Sequence, residues 1–306
     1  MYFAIRYLTR YQYDVDVVDN INMLRVCPAA NGRQRIDDFT VRLTPDARQY
    51  RHEDYFGTEV VEFEVARPHR ELVIDVRARV TTQPQSEPSG TTWEGLSDTA
   101  YREAGGEFLL QTDDANGHPL LTALQGEVAN ATTPLEAVML VSELIPNRFE
   151  YRKGATYVDS PLIDVLEGEA GVCQDFVHLG LNLLRHHGIA ARYVSGYLYT
   201  AAVGEDDTAE TDGDTVNGDG ESVEVDTHAW IEALLPGDGG EPHWASIDPT
   251  NCGLAGEHHV KIGHGRHYAD VPPIKGIYRG AAIATLEASV TMTRSDGPDP
   301  ASAARA

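Results

Sequence analysis

The sequence predicts an α+β protein in which an antiparallel β domain precedes a core of mixed helices and strands. Three observations lead to this prediction: the first part of the chain contains strand-like segments alone, a polar, proline-containing stretch follows, and helical and strand patterns then share the remainder. At 306 residues the chain suits two domains. We place an N-terminal β domain at 1–82, a linker at 83–98, a core domain at 99–294 and a flexible tail at 295–306.

The N-terminal domain is predicted from five strand-like segments with no helix between them. Residues 2–13 are rich in aromatic and β-branched side chains, and turn-forming residues such as Ala30-Asn31-Gly32 separate the later segments. These later segments are Asn22–Cys27, Ile36–Leu43, Thr58–Val65 and Glu71–Val80. An unbroken succession of short strands favours an antiparallel sheet or a β-sandwich.

The core domain begins with helices. Pro134 near the first turn, with Thr132 or Thr133 as cap, marks a helix over Pro134–Ile145. The other predicted helices are Pro119–Gln125, Ser160–Leu166 and one that starts near Cys173 and stops at Gly188. Apolar residues follow a helical period in the last of these, so Cys173 should lie in the first turn of a largely buried helix.

Four strand-like segments complete the core domain. They are Ile189–Thr200, Thr227–Leu235, His243–Ile247 and Thr285–Thr293. Residues 236–240 predict a hairpin turn between the second and the third. The segment 203–226 is acidic and has no basic residue, so we expect a disordered or solvated insertion there. We interpret 263–273 as a loop.

The composition limits the partners. The chain has 48 acidic and 24 basic residues, and a net charge of −24 disfavours binding to nucleic-acid backbones or anionic membranes. The N-terminus lacks the pattern of a signal peptide, and no apolar run approaches membrane-spanning length. We therefore expect a cytoplasmic protein.

No cofactor and no metal is predicted. The three cysteines, Cys27, Cys173 and Cys252, have no paired spacing, which indicates neither a disulfide framework nor a zinc motif. The acidic insertion does not meet the spacing of a calcium loop. A histidine-rich segment is interpreted as a solvated loop rather than a metal site. Its histidines are His258, His259, His264 and His267.

One pattern indicates catalysis. A thiol nucleophile needs a base within hydrogen-bond reach and a third group that orients the base. Cys173 is predicted at a helix start, where free N–H groups and the helix dipole favour the thiolate. His228 is near the start of one strand and Asp248 is at the end of its hairpin partner, so antiparallel pairing can bring the two side chains together. The spacing indicates a Cys–His–Asp triad.

Four strings in this order resemble the transglutaminase-like superfamily of papain-type cysteine enzymes. They are GVCQDF at 171–176, ARYVSGY at 191–197, THAW at 227–230 and DPTN at 248–251. The opening β domain and the string GRHYADVPP at 265–273 also resemble prokaryotic members. The resemblance implies a papain-like, transglutaminase-like α+β core with the nucleophile at a helix N-terminus packed on an antiparallel sheet, behind a sandwich-like β domain.

The resemblance also implies a mechanism. Cys173 would be the nucleophile, His228 the general base and acid, and Asp248 the orienting carboxylate. Attack on an amide carbonyl would give a tetrahedral oxyanion and then a thioester, which water or a second amine would resolve. The backbone N–H of Cys173 is a natural oxyanion donor. Papain-like enzymes place a glutamine shortly before the cysteine, whereas Glu167 stands six residues upstream here.

Three neighbouring residues are further candidates for the site. Because the family's glutamine is absent, Tyr157 or the Gln174 amide could supply the second oxyanion donor. Trp230 lies two residues beyond His228 and should point to the same face of its strand. It would wall the cleft or pack in the core, and the sequence leaves both readings open.

We expect a cysteine-dependent amide hydrolase or acyltransferase that acts on peptides or proteins. Hydrolysis is favoured over amine transfer, because small prokaryotic relatives resemble proteases and the chain shows no calcium-loop spacing. The alternative is a catalytically idle transglutaminase-like module that binds peptides or scaffolds an assembly. A thiol-based redox role would require Cys27 or Cys252 close to Cys173. The sequence does not indicate an oligomeric state.

The acidic residues extend from one end of the chain to the other, which favours adaptation of the whole surface to high salt over one site for a basic partner. Screening of like charges should then stabilise the folded state. We expect the free energy of unfolding, measured by urea denaturation, to rise between low and molar salt. No rise over that range would contradict this interpretation.

Overall fold

The computed structural model describes residues 1–88, 92–113, 115, 117–158, 160–200, 222–237, 241–295 and 297. Most of the predicted acidic insertion 203–226, part of the predicted turn at 236–240 and nearly all of the tail at 295–306 lie outside the described residues.

Five α-helices and fifteen strands form in the described part of the chain. The helices are α1 (Thr99–Gly105), α2 (Pro119–Val128), α3 (Pro134–Arg148), α4 (Leu162–Gly168) and α5 (Cys173–His186). The strands are β1 (Tyr2–Leu24), β2 (Gln34–Thr44), β3 (Gln49–Glu53), β4 (Glu59–Val65), β5 (His69–Thr82), β6 (Glu150–Tyr151), β7 (Ala170–Gly171), β8 (Ala191–Leu198), β9 (Ser222–Val225), β10 (Thr227–Leu235), β11 (His243–Asp248), β12 (Gly253–Leu254), β13 (His259–Gly265), β14 (Ile274–Arg279) and β15 (Ala284–Ser295). The predicted α+β architecture is confirmed.

Strand β1 organises the N-terminal antiparallel sheet. Its first half pairs with β5 on one side and with β15 on the other. Beyond an irregular stretch that contains the left-handed residue Asp19, its second half pairs with β4 and β14. Side chains from both halves, such as Phe3 and Leu24, join one apolar cluster. One long strand thus connects all parts of the sheet around a common core.

The C-terminal strands complete this N-terminal sheet. Strand β15 pairs with β1 from Ser295 opposite Tyr2 to Ala284 opposite Tyr13, and β9 pairs with part of the other edge of β15. The sequence predicts β15, apart from Ser295, as part of the core domain at 99–294, and it predicts β9 as part of the disordered or solvated insertion 203–226. The second prediction is wrong for Ser222–Val225, which form a strand on β15. The alternating pattern of β15 indicates a strand, but the pattern does not contain the identity of its partner.

The core domain is built around α5. This helix packs against β10 and β8 of a sheet whose order is β12-β11-β10-β8-β13, and α2, α3 and α4 pack against α5. Phe176, Leu179 and Leu183 are buried in this contact. Gly180 allows close approach, because a Cβ there would lie 2.4 Å from Ile231 Cδ1. Among the described residues, no helix is both long enough and apolar enough to cross a membrane.

The core sheet also contacts the N-terminal domain. Tyr197 of β8 and Val260 of β13 belong to the apolar cluster of the N-terminal sheet. Gln34 of β2 donates from Nε2 to the Lys261 carbonyl at 2.7 Å and accepts from the Lys261 N–H at 2.9 Å. Because buried polar groups need partners, this reciprocal pair joins the domains in a specific register.

One predicted loop contains a strand. The sequence predicts a solvated loop for the histidine-rich segment and a loop for 263–273, and both predictions are wrong for the residues of β13. Polar side chains of β13 are largely covered because each has a partner: Lys261 Nζ lies 2.6 Å from Glu232 Oε2, and His264 Nε2 lies 3.0 Å from Arg192 Nη1. These partners are distant along the chain, so the local sequence does not indicate them.

Candidate active site

Hydrogen bonds at the start of α5 determine where Cys173 stands. The Val172 N–H donates to Asp175 Oδ2 at 2.8 Å, and Thr156 Oγ1 donates to the same oxygen at 2.5 Å. Gly171 permits this turn, since a Cβ there would lie 2.8 Å from the Asp175 Cβ. The half-buried Cys173 opens the helix. Its N–H has no acceptor within the helix and can therefore donate to a ligand.

The imidazole of His228 lies between a thiol and a carboxylate. Its Nε2 is 2.8 Å from Asp248 Oδ2, and the Cys173 thiol is near enough to the ring to raise the pKa of His228. Since Nε2 faces the carboxylate, Nδ1 is the ring nitrogen left for the sulfur. His228 is opposite Gly196 on β8, where any Cβ would lie 2.2 Å from the Val260 carbonyl. The hairpin of β10 and β11 brings the side chains of His228 and Asp248 together, as the spacing predicts.

Asp248 is a buried carboxylate with a full set of donors. Its Oδ1 accepts from the backbone N–H groups of Thr250 at 2.9 Å and Asn251 at 3.3 Å. Its Oδ2 accepts from Asn251 Nδ2 at 2.7 Å and lies 3.0 Å from His259 Nε2, in addition to its contact with His228. Burial acts to raise its pKa, but the hydrogen bonds with His228 and His259 outweigh burial and hold the pKa well below its usual range. The carboxylate therefore stays ionised.

The charge of Asp248 acts on His228. Burial lowers the pKa of this imidazole, but the hydrogen bond with Asp248 and the neighbouring Cys173 thiol outweigh burial and raise the pKa to about 9. An imidazole normally titrates near pH 6.5, so His228 is an imidazolium at neutral pH. His228 and the neighbouring Cys173 sulfur thus place a proton donor and a potential nucleophile side by side. The arrangement can therefore support nucleophilic attack and proton transfer.

The other predicted site residues lie at different distances from this cluster. Trp230 is buried, with its ring stacked 6.3 Å from that of His228. It therefore packs beneath the imidazole. Gln174 donates from Nε2 to the Val158 carbonyl at 2.9 Å, which connects α5 to the loop before α4. Tyr157 lies in that loop, and 79% of its surface is exposed. No contact between Tyr157 and Cys173 is seen among the described residues.

Two tyrosines near Cys173 were not predicted. Burial and then the neighbouring Cys173 sulfur raise the pKa of Tyr151 and of Tyr193. Tyr193 is buried, and its ring has edge contacts with those of His178 at 5.4 Å and Tyr268 at 6.1 Å. The alternation in β8 predicts an inward Tyr193, but only the packing of α5 on β8 places it near the thiol.

Asn251 and His259 are also part of the site. The sequence predicts no role for Asn251, which belongs to the string DPTN, and it predicts a solvated His259. His228, Asp248 and His259 are the ligand-type side chains that lie together in the described residues, with their ligand atoms within 4.8 Å of one another. Such a set could in principle hold a metal ion.

Two family models match the chain. The bacterial transglutaminase-like N-terminal region matches residues 3–81, and the transglutaminase-like superfamily core matches residues 122–249. An uncharacterized protein from Mycobacterium leprae is 35% identical over 288 residues, which cover 94% of this chain and 96% of the relative. The chain belongs to the transglutaminase-like superfamily. Cys173, His228 and Asp248 all lie within the part matched by the core model.

Other similarities agree with this membership. An uncharacterized protein from Mycobacterium tuberculosis is 30% identical over 311 residues, covering 96% of this chain and 93% of the relative. The crystal structure of a proposed cysteine protease from Cytophaga hutchinsonii superposes with a TM-score of 0.71 at 23% identity, covering 98% of this chain and 92% of that one. This transglutaminase-like protein therefore shares that fold. Family membership supports a protease-like or transglutaminase-like function.

Replacing Asp248 by asparagine tests the electrostatic coupling in the site. Without the anion, the pKa of His228 should fall from about 9 toward the ordinary value near 6.5. In the wild type, the folded-state pKa lies above the unfolded one. The stabilisation from this pair should thus be complete below about pH 6.5 and lost as the pH rises through about 9.

NMR titration of ¹³C-labelled histidine measures this pKa, and a His228→Gln variant assigns the resonance. Urea denaturation across the same pH range measures the stability. A His228 pKa that is equal in the wild type and in Asp248→Asn would contradict the proposed coupling.

Proposed function

We propose that this protein is a cysteine-dependent amide hydrolase or acyltransferase that acts on peptides or proteins through a Cys–His–Asp triad. The observation that supports it is the convergence of three side chains: the Cys173 thiol is near enough to His228 to raise the pKa of this imidazole, and His228 is hydrogen-bonded to the ionised Asp248. The thiol stands at the N-terminus of a buried helix. There the helix dipole and the imidazolium would both stabilise a negative charge on the attacking sulfur.

The first half of the reaction forms a thioester. The Cys173 thiolate attacks the amide carbonyl carbon, and the carbonyl π electrons move to oxygen to give a tetrahedral oxyanion. The Cys173 N–H at the start of α5 donates a hydrogen bond to this oxygen. When the oxyanion collapses, the C–N bond breaks and the His228 imidazolium transfers its proton to the departing amine. His228 is then neutral and the acyl group is bound to sulfur.

The second half of the reaction restores the enzyme. The neutral imidazole of His228 accepts a proton from water or from a second amine as that molecule attacks the thioester carbonyl. Collapse of the new tetrahedral species releases the sulfur as thiolate, which again faces an imidazolium. Asp248 does not change its protonation. It holds the ring orientation and stabilises the charge in both halves.

The reactivity of the thiol tests the triad against the idle-module alternative. A free thiol of ordinary pKa is about 1% thiolate at pH 6.5. If His228 holds Cys173 as thiolate, the alkylation of Cys173 by iodoacetamide at pH 6.5 should be up to about a hundredfold faster than in His228→Ala. Stopped reactions analysed by peptide mass spectrometry give the rate for each cysteine.

The three cysteines differ enough to make this assay specific. Cys252 is exposed and would react, so every variant carries Cys252→Ser. Cys27 is buried, and burial raises its pKa to about 12, so it should stay unlabelled. Cys173→Ala in the same background gives the blank. Equal alkylation rates with and without His228 would remove the support for an active triad and favour the idle module.

The fate of the thioester distinguishes hydrolysis from transfer. Peptide libraries are incubated at high salt with and without a primary amine, and the products are identified by mass spectrometry. We expect hydrolysed peptides under both conditions and none with Cys173→Ala. Incorporation of the amine as the main product would instead indicate an acyltransferase.

A further inference from the structure

His259 is a second imidazole in contact with Asp248. It opens β13, and its side chain is only 10% exposed. Its Nε2 lies 3.0 Å from Asp248 Oδ2, the oxygen that also faces His228. The backbone N–H of His259 donates to the Gly256 carbonyl at 3.1 Å, and the Gly256 N–H donates to Nδ1 of the His259 ring at 3.1 Å. The ring is therefore hydrogen-bonded at both nitrogens.

These contacts determine the position of the proton on His259. A backbone N–H can only donate, so Nδ1 must be the acceptor in the bond with Gly256. A neutral imidazole carries one proton, which is then on Nε2 and directed at Asp248. His259 thus donates to the carboxylate through a bond whose direction the Gly256 backbone determines.

Packing holds the ring in this orientation. The Trp230 indole meets the His259 ring edge to face, with centroids 5.2 Å apart and an interplanar angle of 77°. The same indole stacks on His228 at 6.3 Å. One buried side chain therefore supports both imidazoles, while Asp248 lies within hydrogen-bond distance of each.

We propose that His259 is a positioning residue of the proposed triad. Its neutral Nε2–H holds Asp248 Oδ2 in the direction of His228, so the imidazolium stays aligned with Cys173. A carboxylate without this donor could rotate about its Cβ–Cγ bond and weaken its contact with His228. The inference rests on the proposed function, but it concerns a residue outside the three predicted ones.

A metal site is the competing interpretation of the same cluster. A metal ion bound to His259 Nε2 would occupy the lone pair of that nitrogen, so the ring proton would move to Nδ1. Two N–H groups, from Nδ1 and from Gly256, would then face each other at the present 3.1 Å separation. The donor from Gly256 therefore disfavours a metal and favours a hydrogen bond to Asp248.

Two substitutions separate the roles of the two ring nitrogens. The amide of His259→Gln can reach the position of Nε2 and donate to Asp248. His259→Asn can accept from Gly256 with its Oδ1, at the position of Nδ1, but it is too short to donate to Asp248. In the Cys252→Ser background at pH 6.5, we expect His259→Asn to lower the rate of Cys173 alkylation about tenfold. His259→Gln should stay within about twofold of the parent.

Thermal unfolding of the same proteins checks for a purely structural role. If His259 serves stability alone, the two variants should alkylate at equal rates once compared well below their melting temperatures. This result would overturn the inference while leaving the triad intact, provided that alkylation still depends on His228. Loss of that dependence in the parent would instead overturn the proposed function.

Two further measurements address the metal, and the first of them needs no variant. ¹⁵N spectra of the histidine rings in the unsubstituted protein should show His259 protonated at Nε2, and protonation at Nδ1 would overturn the inference. Zinc ions could slow alkylation by binding Cys173 and His228 alone. Equal zinc sensitivity of His259→Asn and its parent supports the positioning role, and reduced sensitivity would identify His259 as a ligand.

Discussion

The Asp248 carboxylate is the constraint on which the site depends. A buried anion is costly unless hydrogen bonds replace the water it has lost. Asp248 receives five, from the Thr250 and Asn251 N–H groups, the Asn251 amide and the two imidazoles. These donors belong to the end of the hairpin, to β10 and to β13. The groups that satisfy the anion therefore also align the thiol and its base, so the stability of the charge and the geometry of the site cannot be separated.

Much of the architecture is present in local patterns. The cap and the proline of α3, the helical period of α5 and the strand-like segments that become β10 and β11 each give the correct type of element. The hairpin also carries a piece of long-range information, because antiparallel pairing relates the start of one strand to the end of the next. That relation explains why the contact between His228 and Asp248 could be predicted without knowledge of the fold.

The missing parts share a physical cause. The partner of β15, the burial of β13 and the position of Tyr193 all depend on contacts between segments far apart in the chain. A polar residue such as Lys261 appears solvated until Glu232 is placed beside it. His259 is similar, since its value to the site comes from Gly256 and Asp248 together. The local sequence indicates the preferred conformation of a segment, whereas the positions and roles of these residues depend on contacts with distant segments.

The pairing of β1 with β15 has a consequence for how the protein is made. Tyr2 is opposite Ser295, so this ladder closes almost the whole chain into one loop. Contacts of such sequence separation are slow to form. During translation, β1 leaves the ribosome early but must wait for residues 284–295 before its edge is covered. The β domain therefore cannot finish folding ahead of the core, and a nascent chain exposes an open strand edge that a chaperone would have reason to shield.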